Sequence, residues 1–291
     1  MANSMPGSSQ PQNLATSANS AGAMAYIIFI SAIAAIGGFL FGFDSGVING
    51  TVTALGKAFN SDAVATGFNV ASVLLGCAVG ALCAGPAADK YGRKPVMLLT
   101  ALVFAISAWG SGDADTASAF IWYRLLGGLG IGAASVLAPA YISEVAPPAF
   151  RGRLATLQQL AIVLGLFMAF VSNYLIAAAA GGAEAVFWLE LPAWRWMFWM
   201  ELVPSVLFLL GVLLIPESPR FLVAQGRIAQ ANQVFSRICP GDEAAQIERV
   251  QQSLAGDKKP GFVDFLVKGT SKIKPIIWVG IALSVFQQFV G

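Results

Sequence analysis

Three ionisable side chains interrupt the long apolar runs of this sequence: Asp44, Arg124 and Glu201. Each run contains at least roughly 20 residues, the length that a helix needs to cross a bilayer. A charge at the bilayer centre costs about 3 kcal/mol on insertion scales, so such a residue usually faces a partner or a water-filled cavity. The sequence contains no histidine, so any proton exchange falls to carboxylates. All three residues are therefore functional candidates.

Asp44 and Arg124 fall at similar depths in their runs, which predicts opposite charges side by side in one helix bundle. Each charge would ease the burial of the other, and a proton on Asp44 would break the pair. A static structural ion pair is the alternative interpretation. For Glu201 the sequence offers only Arg195 as a partner, which favours a role in structure or helix packing.

Side-chain amides form a second group of candidates within the apolar runs: Gln158, Gln159, Gln287 and Gln288. An amide both donates and accepts hydrogen bonds, which suits a neutral ligand with many hydroxyl groups. Hydrogen bonds between neighbouring helices are the alternative. The rings of Phe41 and Phe43 flank Asp44 and could stack on such a ligand, although contact with lipid or another helix is the more common role of Phe.

The composition is that of an integral membrane protein. Of the 291 residues, 57% are hydrophobic and 11% are charged, whereas about a quarter of the residues in soluble domains carry charge. This excludes a soluble α/β enzyme, and no nucleophile, metal cluster or nucleotide loop stands out, so we expect no enzyme. The net charge of +2 argues against binding of nucleic acid. The three cysteines form neither a disulfide framework nor a metal site.

The order of apolar and polar segments predicts an all-α membrane protein. Residues 1–23 are uncharged and predict a disordered tail, and residues 24–215 contain six spans. Residues 216–274 are polar, with helical spacing of apolar residues at 227–238 and 244–254 that predicts short cytoplasmic helices. Residues 275–291 begin a seventh span without completing it, so we expect a truncated chain. The predicted spans are Ala25–Gly50, Ala63–Ala88, Pro95–Gly112, Thr116–Ser143, Leu154–Ala180 and Trp196–Ile215.

The basic residues predict the orientation of these spans. Fourteen of the seventeen Lys and Arg residues lie in the segments that follow spans 2, 4 and 6. Cytoplasmic loops carry an excess of Lys and Arg, so these segments and the amino terminus are predicted to be cytoplasmic.

Several strings at fixed places along the chain form recognisable motifs. They are Gly85-Pro-Ala-Ala-Asp-Lys-Tyr-Gly-Arg-Lys94, Pro139-Ala-Tyr-Ile-Ser-Glu144 with Arg151-Gly152, Pro216-Glu-Ser-Pro-Arg220, and Gln287-Gln-Phe-Val-Gly291. The first resembles the loop signature of the major facilitator superfamily, and together they resemble its sugar porter family. The string from Gly37 to Gly50 is similar to bacterial proton-coupled glucose, galactose and xylose symporters. The resemblance covers residues 24–291.

The resemblance implies roles for individual residues. Asp44 is similar to the proton-coupling carboxylate of that family and Arg124 to its arginine partner. The residues similar to its sugar-binding positions are Phe41, Gln159, Gln287 and Gln288, and only the resemblance selects Gln159 over Gln158. The residues that resemble an ion-pair network closing the inner gate are Asp89, Arg93, Glu144, Arg151, Glu217 and Arg220. Topology signals are the alternative for the two arginines of the loops, Arg93 and Arg151.

The same resemblance implies a twelve-helix fold in which the substrate lies between two six-helix halves. This chain is similar to the amino-terminal half, so we expect it to be inactive without the missing carboxyl-terminal half. The implied substrate is a monosaccharide, with a proton as coupling ion and neither a cofactor nor a metal. The implied location is the plasma membrane, as in the inner membrane of a bacterium. A passive sugar facilitator, which Asp44 disfavours, and a non-transporting sugar sensor remain alternatives.

Overall fold

The computed structural model describes residues 10–256, 278–280, 282 and 286, with side chains from residue 22 onward. Within these residues the structure is helical and contains no named strand, as the sequence predicts. The chain divides into two compact units, Met1–Ala244 and Ala245–Gly291. The longer helices are α1 (Gln10–Ala58), α2 (Ala63–Tyr91), α3 (Arg93–Asp113), α4 (Ala117–Val145) and α5 (Arg151–Ala180). They are followed by α6 (Ala193–Trp199), α7 (Leu202–Leu214), α8 (Pro219–Ala224), α9 (Ile228–Ile238) and α10 (Glu243–Gly256).

Six membrane-spanning segments are confirmed among the described residues. Each is long and apolar enough to cross a bilayer, by length and composition. Their bounds are Gly22–Ala58, Ala63–Tyr91, Arg93–Asp113, Ala117–Val145, Pro148–Ala180 and Ala193–Leu214. Side chains cap the first turn of two of these helices. The Asp62 carboxylate accepts a hydrogen bond from the Ala65 N–H, and the Thr116 hydroxyl accepts one from the Ala119 N–H.

Two elements differ from the sequence prediction. The first helix begins at Gln10 and so includes residues 10–23, where we expected a disordered tail. Residues 12–21 contain neither glycine nor proline, and Pro11 lies in the first turn, where its missing N–H costs nothing. The sixth span is divided into α6 and α7 because Pro204 cannot donate to the carbonyl four residues earlier, at Met200.

The polar segment after the sixth span contains the predicted short helices. One of them, α9, buries Ala231, Val234, Phe235 and Ile238 at helical spacing. The Arg237 guanidinium lies over the ring of Tyr26, at 5.9 Å from its centre, which connects α9 with the start of the first span. The predicted seventh span falls largely outside the described residues.

Glycines allow the backbones of paired helices to approach closely. A Cβ atom added at Gly128 or Gly132 of α4 would lie 2.1 Å from the Val73 carbonyl oxygen or 2.0 Å from that of Cys77, both on α2. An added Cβ atom at Gly42 of α1 would lie 1.9 Å from the Ile162 carbonyl oxygen of α5. The Gly-x-x-x-Gly spacing of α4 therefore brings its backbone into close contact with that of α2, as in other membrane helix pairs.

We predict that Gly132→Ala destabilises the bundle by about 1–3 kcal/mol, because the new methyl group forces α2 and α4 apart. The control is Gly67→Ala on the partner helix α2, where no atom lies within 4 Å of an added Cβ. The control should be neutral or stabilising by up to about 1 kcal/mol. Thermal unfolding in detergent measures both. Equal melting temperatures for the two variants would contradict the close packing.

Candidate functional site

The Asp44 and Arg124 side chains meet inside the bundle. Asp44 lies on α1 with 4% of its surface exposed, and Arg124 lies on α4 with 1% exposed. The guanidinium binds the carboxylate through both of its terminal nitrogens; Nη1 contacts Oδ1, and the distance from Nη2 to Oδ2 is 3.0 Å. This two-pronged geometry matches a planar guanidinium to a planar carboxylate. The structure therefore brings together the two charges that the sequence places at equal depth.

Burial makes this pair sensitive to any loss of charge. The cost of removing both groups from water is offset only while they remain together, so a lone charge at this position is strongly unfavourable. The Nε atom of Arg124 is buried and has no hydrogen-bond partner among the described residues. A proton on Asp44 would cancel the charge that holds the guanidinium in place.

Glu201 is a third buried ionisable side chain near this pair, and the sequence analysis did not connect it with them. Its exposure is 3%, and it lies close enough to Asp44 and Arg124 for electrostatic interaction with both. Arg195, the partner that the sequence offered for Glu201, instead donates to Asp115 at 2.7 Å and to the Gly112 carbonyl at 3.2 Å. The break between α6 and α7 beside Glu201 could have been inferred from Pro204.

The predicted sugar-binding residues have different surroundings. Gln159 is exposed on α5, whereas its neighbour Gln158 is buried against α1. The contact is close: an added Cβ atom at Gly38 would lie 2.6 Å from Nε2 of Gln158. Phe41 is half-buried on α1. The other two amides, Gln287 and Gln288, lie outside the described residues.

Asn173 is a buried polar residue that the sequence analysis missed. Its Nδ2 donates to the backbone carbonyl of Gly46 at 3.1 Å and to that of Val47 at 3.3 Å. These bonds join α5 to α1 two and three residues beyond Asp44, within the next turn of α1. An asparagine within an apolar run is the signal that could have identified it.

At the end of the bundle that carries α8 and α9, Arg93 joins two helices. It binds Asp89 of α2 at 3.0 Å and Glu144 of α4 at 2.9 Å. Its guanidinium carbon lies 5.9 Å from the centre of the Phe221 ring on α8. Three of the six predicted gate residues therefore form one connected ion-pair cluster.

The remaining predicted gate residues make other contacts. Glu217 accepts hydrogen bonds from the backbone N–H groups of Arg93 at 2.9 Å and of Lys94 at 3.3 Å, and so caps the start of α3. Arg151 donates to the Ala146 carbonyl at 3.2 Å. Arg220 lies on α8. The Glu217 carboxylate at the start of α3 also complements the helix dipole. The motif Pro216–Arg220 alone did not reveal this capping role.

A bundle of six membrane helices around a buried carboxylate and arginine is an arrangement suited to secondary transport. The chain belongs to the sugar (and other) transporter family, whose model matches residues 30–291. This confirms the resemblance found in the motifs and the major facilitator fold.

Relatives with assigned activities match nearly all of this chain. It is 51% identical to a glucose transport protein of Synechocystis, over 91% of this chain and 57% of that protein. It is 36% identical to the D-xylose-proton symporter of Escherichia coli, over 91% of this chain and 58% of the symporter. The chain thus spans somewhat more than half the length of these relatives.

Solved structures agree with this result. The proton:xylose symporter XylE bound to 6-bromo-6-deoxy-D-glucose matches 92% of this chain and 60% of its own, at 35% identity and a TM-score of 0.81. A partially occluded inward-open form of XylE from E. coli matches 91% of this chain and 64% of its own, at 33% identity and a TM-score of 0.80.

The buried pair predicts a strong stability coupling. Arg124→Gln should destabilise the protein by about 3–5 kcal/mol, because it leaves the Asp44 carboxylate buried without its partner. Adding Asp44→Asn removes that charge, so the double variant should recover part of the loss, with a coupling energy above about 0.5 kcal/mol. Unfolding in detergent micelles measures the full cycle.

The matched control is Lys57→Gln, which breaks the exposed pair of Lys57 with Glu184. An exposed pair contributes at most about 1 kcal/mol. If Arg124→Gln were no less stable than this control, the buried pair would not constrain the fold.

Proposed function

We propose that this chain forms the amino-terminal half of a sugar transporter that couples uptake to protons. The main support is the buried, two-pronged contact of Asp44 with Arg124 in a chain of the sugar transporter family. A carboxylate that can lose its charge to a proton gives such a bundle a means of coupling. The named relatives include a glucose transport protein and a D-xylose-proton symporter, which favours a monosaccharide as the substrate.

The proposed coupling follows from the charge of the pair. Arginine side chains in proteins are effectively always charged, so the switch in this pair is assigned to the carboxylate of Asp44. A proton on Asp44 weakens the contact between α1 and α4 and frees these helices to move as the two halves rock about the sugar. Release of the proton on the other side restores the pair and completes the cycle. The proton is the coupling ion, and no other cofactor is invoked.

The sugar would lie between this bundle and a second half. Gln159 and Phe41, with Gln287 and Gln288, are proposed to bind it through amide hydrogen bonds and ring contact. Gln159 supports this assignment because it is exposed on an apolar helix, where lipid would leave its amide unsatisfied. The partners are therefore a carboxyl-terminal half and the lipid bilayer.

The cluster of Asp89, Arg93 and Glu144 is proposed to close the inner gate, with Glu217, Arg151 and Arg220 supporting it. Its ion pairs join α2 and α4 at the cytoplasmic edge, and networks of this kind are stronger than isolated surface pairs. The alternative function is passive transport of sugar. That function would leave a buried titratable pair without a purpose.

Proton coupling can be tested in a chimera of this chain with the carboxyl-terminal part of the Synechocystis relative, in vesicles with an imposed pH gradient. Asp44→Asn should abolish accumulation of sugar against its gradient while exchange at equal concentrations survives, since only the titrating group is lost. Gln159→Ala should keep the pH dependence and weaken apparent affinity about five- to thirty-fold, the effect of losing about 1–2 kcal/mol of hydrogen bonding.

The control for both variants is Thr156→Ala, one turn earlier on α5, whose hydroxyl bonds only its own helix at the Arg153 carbonyl. It should change neither coupling nor affinity. If Asp44→Asn still accumulated sugar in response to the pH gradient, the ion pair would have only a structural role. Unchanged affinity in Gln159→Ala would place the sugar elsewhere.

The proposed orientation has the amino terminus and the polar segment 216–274 in the cytoplasm, because most Lys and Arg residues lie on that side. Single cysteines at Ser61 and Ser253, in a background without Cys77, Cys83 and Cys239, should react from opposite faces of the cell membrane. An impermeant thiol reagent outside intact cells should label Ser61→Cys alone. Labelling of Ser253→Cys from outside would reverse the orientation.

A further inference from the structure

The connection between α5 and α6 carries an apolar tip that the transport mechanism does not use. Val186, Phe187, Trp188 and Leu189 follow one another there, and all are exposed, Trp188 by 64% and Leu189 by 67%. The connection lies at the end of the bundle opposite α8 and α9, where α5 ends and α6 begins. Four consecutive apolar side chains facing water would be unfavourable.

Backbone hydrogen bonds hold this connection, residues 183–194, as a rigid hairpin. The Phe187 N–H donates to the Leu191 carbonyl at 2.8 Å, and the Trp194 N–H donates to the Ala183 carbonyl at 2.9 Å. At the tip, Leu189 and Glu190 both have left-handed backbone, with φ of 55° and 59°. This conformation is disfavoured for residues other than glycine, and it is kept where the surrounding structure imposes it. The hairpin therefore displays its apolar tip in one fixed conformation.

A row of tryptophan rings connects the hairpin to the surface of the membrane spans. Trp188 stacks on Trp196 of α6, with ring centres 5.1 Å apart. Trp196 contacts Trp199 at 5.0 Å, and Trp199 stacks on Trp109 of α3 at 5.6 Å. Two indole N–H groups donate to backbone carbonyls, from Trp196 to Trp188 and from Trp199 to Trp109. The row ends at Trp109, which is 57% exposed on a membrane-spanning helix.

We propose that the 183–194 hairpin inserts its tip into the boundary between lipid headgroups and acyl chains, as a rigid membrane anchor. Indole rings favour this zone because one part of the ring is apolar and the N–H is polar. The row of rings ends on the exposed apolar surface of the membrane-spanning helix α3, where Ile106 is exposed beside Trp109. The partner is thus the lipid surface on the side of the membrane opposite α8 and α9.

The test uses a polarity-sensitive fluorophore on a single cysteine, Leu189→Cys, in a background without the three native cysteines. The protein is reconstituted in phosphatidylcholine vesicles with and without lipids that carry a nitroxide at carbon 5 of an acyl chain. The matched control is Ser118→Cys, exposed at the start of α4 on the same end of the bundle. A label at Val186→Cys repeats the measurement if Leu189→Cys folds poorly.

The tip labels should emit at shorter wavelength than the control label and lose most of their fluorescence to the nitroxide lipid. Aqueous iodide should quench them several-fold less than it quenches the control. Quenching by iodide without any effect of the nitroxide lipid would show that the hairpin projects into water and would overturn the proposal. Protection from both quenchers would also overturn it, because another part of the protein would then cover the tip.

Discussion

The contact between Asp44 and Arg124 is the interaction on which the arrangement of the bundle depends. Direct contact offsets much of the cost of burying two opposite charges inside a membrane bundle, which favours adjacent α1 and α4 at that depth. The glycines of α1 and α4 let α5 and α2 pack closely on either side of this central pair of helices. Apolar residues of equal volume would stabilise the same contact as well or better. The physical advantage of a carboxylate here is that a proton can remove its charge, and this advantage underlies the proposed coupling.

Polar contacts at the helix ends complement this buried pair. At the end of the bundle that carries α8 and α9, the Lys94 ammonium donates to the carbonyls of Leu213 and Ile215 at the end of α7, and Glu217 caps the start of α3. Lys94 of α3 therefore caps the end of α7, and Glu217, three residues beyond α7, caps the start of α3, as the helix dipoles favour. At the other end, Arg195 binds the Gly112 carbonyl and so holds the start of α6 to the end of α3. The pairing of α3 with the sixth span is thus fixed at both ends, independently of the pair between α1 and α4.

Much of this fold could be predicted from the sequence, because hydropathy, loop charge and motif spacing are local signals. The six spans and the helix α9 follow from the period of the apolar residues, and the contact of Asp44 with Arg124 follows from matching depth. Contacts that depend on packing in three dimensions could not be predicted this way. The proximity of Glu201 to the pair, the backbone bonds of Asn173 and the capping role of Glu217 all depend on which helix faces meet. The start of α1 differed from the prediction for another reason. The polar composition of the amino-terminal residues predicts disorder, but a segment without glycine or proline can extend a helix that is already stable in the membrane.

The exposed surface of the bundle is compatible with the proposed second half. In their most apolar windows, α2 and α5 bury only 22% and 17% of their residues, against 44–56% for the other four spans. Exposed apolar residues on these helices, such as Phe167, can face lipid without cost. The amide of Gln159 cannot, because hydrocarbon offers it no hydrogen-bond partner. The face of α5 that carries Gln159 therefore requires water or protein beside it. A second bundle that encloses a water-filled cavity would satisfy that amide. A change of charge at Asp44 could then move this bundle relative to the second one.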